Sequence, residues 1–270
     1  MTLDEVIKGL IDEEKFGNGI KCLKLIKLED FEEIKQEVIK IIAQKPASII
    51  GDVKDREGHY LDIDEITPYH PKVRRIVDGA WRAYRLYRAE PGWLENEPYL
   101  DEKLDYNSLK FFYKDEFPYI QKLLDKFKNK FIVNLSGLLP NTILMPHNES
   151  MTRYWKGKPS LVLRFHIPII ENEDAYFWFN KKKYYFQPGY IYLFNPGTIH
   201  SAFNNSINSR YNIILDCLAN NGLSYLFENA STPEYIGIED LIIDKDNLRP
   251  SLLSDEDRDY RKIYKWDDKI

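Results

Sequence analysis

The chain has 270 residues, 43% of them hydrophobic and 30% charged, which suits one all-β or mixed domain with a sizeable core. Its formal net charge of −5 and the absence of a basic stripe argue against nucleic acid as the main partner. Because no apolar run approaches the roughly 20 residues that cross a bilayer, and Cys22 and Cys217 form no CxxC motif, we expect a cytoplasmic protein without a membrane partner.

The first 44 residues combine helical and strand patterns. Residues 2–15 show an amphipathic, acidic helical pattern that is unlike a signal peptide, and residues 19–28 alternate as a strand does. A second helical pattern follows Asp30, which is a candidate N-cap. Its apolar residues recur at helical spacing, at Phe31, Ile34, Val38 and Ile41. The sequence therefore predicts a helix, a strand and a further helix in this segment.

Residues 46–130 are expected to complete a mainly helical N-terminal region. Residues 46–70 carry Pro, Gly and acidic residues without periodicity, which indicates a loop at the edge of a site. The run from Pro71 to residue 88 is predicted as a helix, because its apolar residues fall on one stripe at Val73, Ile76, Val77, Trp81 and Tyr84. That stripe indicates core packing rather than cofactor contact. A third helix is predicted near residues 115–130.

From Phe131 onward the pattern changes to short β-type runs separated by turns. The runs cover residues 131–139, 142–147, 160–170, 175–186 (as a hairpin), 190–194, 198–203 and 210–218. Such a series predicts a sandwich or jelly roll, with the N-terminal helices packed on the outside of one sheet. We therefore expect one structural domain with three parts: residues 1–130, a core at 131–218 and a C-terminal extension at 219–270. For the extension, a helical cover and a dimer contact both remain open.

Two histidines and a carboxylate stand out in the β-rich core. His147 and Glu149 are two residues apart, so a strand would aim both into a barrel interior, and His200 follows a Pro-Gly turn. Two imidazoles and one carboxylate suit ferrous iron and leave its other positions open. Arg210, ten residues past His200, suits a cosubstrate that carries a carboxylate. The combination predicts a non-haem iron oxygenase that uses 2-oxoglutarate.

Longer motifs surround these residues: LSGLLPNTILMPH (135–147), LVLRFHIPI (161–169), PGYIYLFNPGTIH (188–200) and NSRYNIILD (208–216). With them, residues 131–218 resemble the aspartyl/asparaginyl β-hydroxylase family of 2-oxoglutarate oxygenases, which includes hydroxylases of free amino acids. The resemblance implies an α+β fold with a double-stranded β-helix core (a jelly roll, cupin-like). It also implies that Fe(II), 2-oxoglutarate and O2 hydroxylate an unactivated C–H bond of an amino acid, free or within a peptide, with release of succinate and CO2.

The family pattern assigns a role to each matching residue. It implies that His147 and His200 bind the metal, and that Arg210 and Ser136 bind the far carboxylate of 2-oxoglutarate. Family members usually carry Asp two residues after the first histidine, or lack a carboxylate there. This chain has Glu149, one methylene longer. Since strand geometry favours an inward side chain, we expect Glu149 to complete the metal site, with water as the alternative third ligand.

The Arg-x-His motif of the family falls on Arg164 and His166, which would contact the cosubstrate carboxylate. A guanidinium on an otherwise apolar strand needs a partner, and a bound carboxylate would supply one. For His166, packing in a β-rich core is an equally good interpretation. Arg153 and Tyr154, just past the metal motif, are candidate substrate contacts, although a surface loop explains them as well.

Two other classes of protein remain open from the sequence. A cupin-like metal enzyme that does not use 2-oxoglutarate would explain the histidines and the carboxylate, but would leave Arg210, Arg164 and Ser136 without a role. A catalytically silent jelly-roll binding protein would explain the fold and the replacement of Asp by Glu. Desaturation or ring formation would use the same iron centre as hydroxylation. A homodimer is compatible with the sequence, which does not decide the oligomeric state.

Overall fold

The structure, a computed structural model, describes residues 1–16, 19–45, 48–49, 81–88, 110–111, 113, 115–140, 142–149, 151–155 and 158–243. The helices in these ranges are α1 (Leu3–Phe16), α2 (Phe31–Gln44) and α3 (Pro118–Asp125). The strands before residue 140 are β1 (Cys22–Lys27), β2 (Ser48–Ile49), β3 (Trp81–Arg88), β4 (Lys110–Phe111) and β5 (Lys130–Leu138). Those after it are β6 (Thr142–His147), β7 (Thr152–Trp155), β8 (Lys158–Ile170), β9 (Ala175–Phe179), β10 (Lys182–Tyr184), β11 (Tyr190–Phe194), β12 (His200–Asn204), β13 (Arg210–Leu218) and β14 (Gly237–Ile238).

Two antiparallel sheets form the core. The larger sheet has the order β1-β11-β8-β13-β5-β3-β2, with β4 beside β3 and β7 beside β8, and the smaller sheet has the order β14-β10-β9-β12-β6. From β5 to β13 the chain passes repeatedly between the sheets, so that β8 pairs with β13 and β9 pairs with β12. Such pairing of strands that are distant in sequence is the topology of a jelly roll. It confirms the predicted double-stranded β-helix core.

The two faces of the larger sheet have different neighbours. On β8, Leu163, Phe165 and Ile167 are fully buried in the core that the helices cover. The ring of Phe165 packs against that of Phe127, just after α3, at 5.1 Å between centroids. Burying side chains of this size contributes about 1.5–3 kcal/mol each, which fixes the register of the strand. The residues between them, Arg164 and His166, therefore point into the space between the sheets.

The N-terminal region also extends the larger sheet at both edges. Strand β1 pairs with β11, and β3 pairs with β5. The helix predicted up to residue 88 is therefore wrong over Trp81–Arg88, which is a strand; residues 71–80 lie outside the described residues. The edge of β5 offers unpaired backbone groups, and the aromatic residues of this segment pack well on a pleated surface, so tertiary pairing overrides the helical spacing.

Helix ends show how α2 and α3 are fixed. Asp30 occupies the N-cap position of α2 but makes no side-chain cap hydrogen bond. Its carboxylate instead accepts a hydrogen bond of 2.6 Å from Lys122 of α3. The buried carboxylate of Glu37 accepts hydrogen bonds from the backbone N–H groups of Tyr119 and Ile120 at the start of α3. These contacts satisfy N–H groups that have no partner within the helix. Helix α3 corresponds to the third helix predicted near residues 115–130, but it is shorter than predicted.

The C-terminal extension is described up to residue 243. Residues Asn221–Phe227 form a 3-10 helix that buries Leu223, Leu226 and Phe227 in the core beside α1. Strand β14 adds to the edge of the smaller sheet beside β10. A helical cover and a dimer contact both stay predictions for the extension. Among the described residues, we find no helix with the length and apolar character needed to span a bilayer.

Candidate functional site

A cavity of about 420 Å³ opens between the two sheets. The seven residues with a predicted metal or cosubstrate role all line it: Ser136, His147, Glu149, Arg164, His166, His200 and Arg210. They come from β5, β6, β8, β12 and β13 and the residues that follow β6. The jelly roll thus brings together side chains that lie up to 74 positions apart, from Ser136 to Arg210.

His147, Glu149 and His200 form one cluster at an end of the smaller sheet. His147 ends β6, His200 begins β12, and the two residues are direct partners in the pairing of these strands. Their ring centroids lie 4.3 Å apart. One donor atom from each of the three side chains lies within 4.8 Å of the others. Both histidines are buried, so the cluster is shielded from water on most sides.

The orientation of His200 is set by the turn that precedes β12. Its Nδ1 lies 2.8 Å from the backbone oxygen of Thr198. A carbonyl oxygen only accepts, so Nδ1 carries the proton and Nε2 keeps its lone pair. Burial, and then the neighbouring His147, lower the pKa of His200 well below its usual value. The neutral imidazole with a fixed tautomer is the form that binds a metal ion.

Glu149 lies between the histidines and an arginine. Its backbone N–H donates a hydrogen bond of 2.7 Å to the oxygen of Pro196, which ties the end of β6 to the turn before β12. Its Oε1 lies 3.6 Å from Nε2 of His147 and accepts a hydrogen bond of 2.8 Å from Nη1 of Arg164. The chemistry of this donor set, two imidazoles and one carboxylate, fits ferrous iron.

Arg164 is held by an acidic residue that the sequence analysis did not single out. Its Nε and Nη2 donate to Oδ1 and Oδ2 of Asp216, both at 2.8 Å, and Asp216 is the residue opposite it on β13. Burial works against the charge of Arg164, but Asp216 and Glu149 outweigh it and raise the pKa of Arg164 well above its ordinary value. The sequence signal that points to Asp216 is an aspartate within the apolar run of β13. Buried opposite charges on two apolar strands are expected to pair.

Arg210 lies at another part of the cavity wall. It is 3% exposed, and its guanidinium carbon lies 4.2 Å from the centroid of the Phe177 ring. Its Nε lies 3.4 Å from Oε1 of Glu171, and its Nη1 donates to the oxygen of Phe203 at 3.2 Å. Burial lowers the pKa of Arg210, and Glu171 partly opposes that effect. A buried guanidinium at a cavity wall fits a carboxylate ligand.

Ser136 and Trp81 add a polar contact to the same wall. The indole Nε1 of Trp81 donates to Oγ of Ser136 at 2.5 Å. Since Oγ accepts this hydrogen bond, the hydroxyl hydrogen of Ser136 remains for a further acceptor. Ser136 lies directly opposite Asn212 in the pairing of β5 and β13. The sequence pattern predicts Trp81 on a helical stripe, so it predicts neither its strand nor its place in the cavity.

His166 lies among aromatic rings. Its ring stacks on Phe194 at 4.4 Å and meets Phe177 edge-on at 5.1 Å between centroids. Burial, and then the nearby Arg164, lower the pKa of His166 well below its usual value, so it is neutral. Its buried Nδ1 has no hydrogen-bond partner among the described residues. An orphaned polar atom at a cavity wall fits contact with a polar ligand, and the packing interpretation holds for the rest of the ring.

The two candidate substrate residues stand in strand β7, beside β8. Arg153 is opposite Ser160, and Tyr154 is opposite Pro159. The side chains of Arg153 and Tyr154 lie outside what the structure describes. Their role as substrate contacts therefore stays a prediction.

Three solved structures are similar to this chain at low sequence identity. A 2OG-Fe(II) oxygenase family oxidoreductase from Burkholderia pseudomallei has 10% identity and a TM-score of 0.44, over 81% of this chain and 93% of its own. A prolyl-4-hydroxylase from Pseudomonas putida has 9% identity and a TM-score of 0.36, over 78% and 98%. A predicted oxalate decarboxylase from Thermotoga maritima has 12% identity and a TM-score of 0.26, over 36% and 72%.

The sequence itself matches a known family over most of its length. No curated protein matches the chain. Residues 29–220, well over half of the chain, match the family model described as aspartyl/asparaginyl beta-hydroxylase. This range includes both histidines of the cluster, Glu149 and Arg210. The chain therefore belongs to the aspartyl/asparaginyl β-hydroxylase family, and it is a 2-oxoglutarate-dependent hydroxylase, as its sequence predicted.

Proposed function

We propose that this protein hydroxylates an unactivated C–H bond of an amino acid, free or within a peptide, and converts 2-oxoglutarate and O2 to succinate and CO2. The family gives the class of reaction and a substrate of amino-acid or peptide kind. The observation that carries the proposal is that His147, Glu149 and His200 line the same cavity as the buried Arg210. A metal-type donor set and a carboxylate-binding cation in one cavity are what the reaction requires.

The proposed metal ligands are His147, His200 and Glu149. Ferrous iron held there supplies the activation of O2, coupled to the decarboxylation of 2-oxoglutarate. Thr198 fixes the tautomer of His200, and Arg164 steers Glu149 through a single hydrogen bond of 2.8 Å. Such outer contacts orient ligands and tune their basicity. Three protein ligands leave positions for the cosubstrate and for O2.

The proposed cosubstrate contacts divide between two parts of the cavity. Arg210 and Ser136 bind the far carboxylate, because a guanidinium and a hydroxyl hydrogen both donate toward it. Arg164 uses three of its five N–H donors on Asp216 and Glu149, so two remain for the 1-carboxylate. The orphaned Nδ1 of His166 lies on the same strand as Arg164 and supplies a further polar contact.

Apolar side chains complete the cavity. Phe177 and Phe194 lie beside the histidines, and Leu144 and Ile214 contribute aliphatic wall. Such a lining excludes water, which strengthens the electrostatic contacts inside the site. These residues place the reacting C–H bond without competing for the metal. Arg153 and Tyr154 remain the proposed substrate contacts.

We also propose a cytoplasmic location. Cys22 and Cys217 are both buried and unpaired thiols, as is usual in reducing compartments. Two thiols that react with a thiol reagent only after denaturation are the expected result. A disulfide in protein prepared without reductant from cells would contradict the location.

Turnover of 2-oxoglutarate tests the proposed reaction. Purified protein with ferrous iron and 2-oxoglutarate is incubated in air with a panel of free amino acids and short blocked peptides. Succinate is measured by NMR, and products are measured by mass spectrometry. We expect slow succinate formation without a substrate, and faster formation together with a product that gains one oxygen when the right substrate is present.

The other two classes of protein give different results in the same assay. Product that forms without 2-oxoglutarate would indicate a cupin-like enzyme. Bound iron without any succinate would indicate a silent binding protein. A suitable matched control is Glu173→Ala, an exposed acidic residue outside the cavity lining, which should leave succinate formation unchanged.

A further inference from the structure

Behind Arg210 lies a buried acid that the proposed reaction does not use. Glu171 follows β8 directly, and its side chain is 2% exposed. Its Oε1 lies 3.4 Å from Nε of Arg210 and accepts a hydrogen bond of 2.9 Å from Nδ2 of Asn212. Glu171 itself does not line the cavity, whereas Arg210 and Asn212 do. Glu171 therefore contacts two residues of the cavity wall from behind, without facing the cavity itself.

The amide of Asn212 is only half satisfied. Nδ2 is directed to Glu171, and the buried Oδ1 has no hydrogen-bond partner among the described residues. Oxygen and nitrogen of an amide point in different directions, so Oδ1 is directed away from Glu171. An acceptor beside Arg210 opposes a carboxylate, because both groups only accept. Asn212 and Arg210 line the same cavity, so a reversed amide would offer a donor where the present orientation offers an acceptor.

We propose that Glu171 is a positioning residue that takes up a proton when 2-oxoglutarate binds, and that the Asn212 amide reverses at the same time. The proton comes from solvent and joins a carboxylate oxygen of Glu171. That O–H then donates to Oδ1 of Asn212, and Nδ2 turns toward the cosubstrate carboxylate. The buried Oδ1 of Asn212, which lacked a partner, thereby gains one. This inference rests on the proposed binding of 2-oxoglutarate at Arg210.

Electrostatics favours this coupling. Without a ligand, Glu171 and Arg210 balance each other, and a carboxylate bound to Arg210 adds a second negative charge to the same buried cation. Like charges that share a site raise the pKa of one of them. Burial already raises the pKa of Glu171 from 4.5 to about 7, against the opposing effects of Arg210 and Asn212. A further rise of this pKa when the cosubstrate binds would therefore protonate Glu171 near neutral pH.

Few other charged groups act on Glu171. Arg210 on β13 is the cation in contact with it. Tyr185 lies after β10, and the pKa of its phenol is raised chiefly by burial and further by Glu171. Glu173, on the same turn, acts on Tyr185 in the same sense. Among the described residues, therefore, Arg210 supplies the main positive charge near Glu171. A carboxylate that binds Arg210 directly changes the net charge around Glu171.

Proton uptake on binding is measured by isothermal titration calorimetry. The protein, loaded with ferrous iron and kept free of O2, is titrated with 2-oxoglutarate at pH 8 in Hepes and in Tris, which have different ionisation enthalpies. The difference in heat gives the number of protons taken up. We expect up to one proton per cosubstrate in the wild type, and a Kd that rises by up to about tenfold per pH unit above 7.

Glu171→Gln is the variant that isolates the acid. Its amide donates to Oδ1 of Asn212 as the protonated acid would, so the variant should bind 2-oxoglutarate without this proton uptake and with a Kd that stays level between pH 6 and 8. Glu173→Gln, on the same turn but exposed, should behave as the wild type. Far-ultraviolet circular dichroism checks that each variant folds.

The outcomes separate this inference from the proposed function. If 2-oxoglutarate does not bind to the iron-loaded wild type, the proposed function fails. If it binds with no proton uptake, or with the same uptake as Glu171→Gln, the role of Glu171 is wrong while the proposed function stands. A wild type without proton uptake overturns the role of Glu171 even where the variant is unstable.

Discussion

Arg164 and Asp216 face each other across β8 and β13 and share two hydrogen bonds of 2.8 Å. The same guanidinium holds Glu149, whose Oε1 lies 3.6 Å from Nε2 of His147. A continuous set of charge-assisted contacts therefore runs from the middle of the larger sheet to the proposed metal ligands. Asp216 is 1% exposed, so it has no solvent to replace Arg164 as a partner.

Asp216→Asn should destabilise the protein by about 3 kcal/mol or more, because it leaves a buried guanidinium with one charged partner removed. Urea unfolding measures the free energy. Asp240→Asn is the matched control, since Asp240 pairs with Lys181 at a site where both side chains are more than half exposed. It should cost at most about 1 kcal/mol. Equal effects of the two substitutions would show that Asp216 and Arg164 do not act as a buried pair.

Glu149→Ala should weaken the binding of ferrous iron. Removal of a hydrogen-bond partner of a metal ligand lowers metal affinity by roughly 10- to 100-fold. Removal of the ligand itself should lower the iron affinity by at least as much. Anaerobic titration against a competing chelator measures the affinity. Glu149→Asp, which restores a carboxylate one methylene shorter, should recover part of it. Unchanged iron affinity in the Ala variant would mean that water, and not Glu149, is the third ligand.

The alternation of side chains explains why the core and the site were predictable together. On β8, large apolar residues such as Leu163 and Phe165 alternate with Arg164 and His166. A strand with one face toward helices and one toward a functional cavity must show this period of two. The same holds on β13, where Arg210 and Asp216 stand among apolar residues. The local pattern was therefore sufficient to predict the jelly roll, and the family motifs added seven of the side chains that line its interior.

The parts that could not be predicted depend on which strands become neighbours. Trp81–Arg88 is a strand because β5 offers it an edge, and its residues also fit a helical stripe. Asp216 and Glu171 take their importance from Arg164 and Arg210, which only the register of β8 and the turn after it place within reach. Tertiary pairing, and not propensity, decides both.

Arg210→Lys should raise the KM for 2-oxoglutarate by roughly 10- to 100-fold. Lysine keeps a positive charge but loses the planar set of donors and the stacking on Phe177, which lies 4.2 Å from the guanidinium. A hydrogen bond to a charged group contributes about 1.5–3 kcal/mol, which gives this range. Succinate formation at varied 2-oxoglutarate measures it. A KM within twofold of the wild type would argue against a contact with the cosubstrate.

Trp81→Phe should raise the same KM by a smaller factor, roughly twofold to tenfold. The substitution keeps an aromatic ring at the cavity wall but removes the donor to Ser136. A neutral hydrogen bond contributes about 0.5–1.5 kcal/mol. Tyr84→Phe is a control on the same strand, because Tyr84 is buried on the face toward the helices. If both substitutions change KM equally, the indole has no specific role at the site.

Glu171 should make the stability of the cosubstrate-free protein depend on pH. Its pKa in the folded protein is raised from 4.5 to about 7, chiefly by burial. The folded state therefore binds the proton more tightly than the unfolded chain. Its contribution to stability is fully present below pH 4.5 and is lost as the pH rises through 7.

At about 1.4 kcal/mol per pKa unit, the wild type should lose about 3 kcal/mol between pH 4.5 and pH 8 that Glu171→Gln does not lose. Urea unfolding of both proteins across this range measures the difference, in which the other titrating groups cancel. Parallel curves would mean that Glu171 stays ionised in the folded protein. In that case the buried carboxylate and Arg210 form a permanent ion pair, with no proton to exchange when the cosubstrate binds.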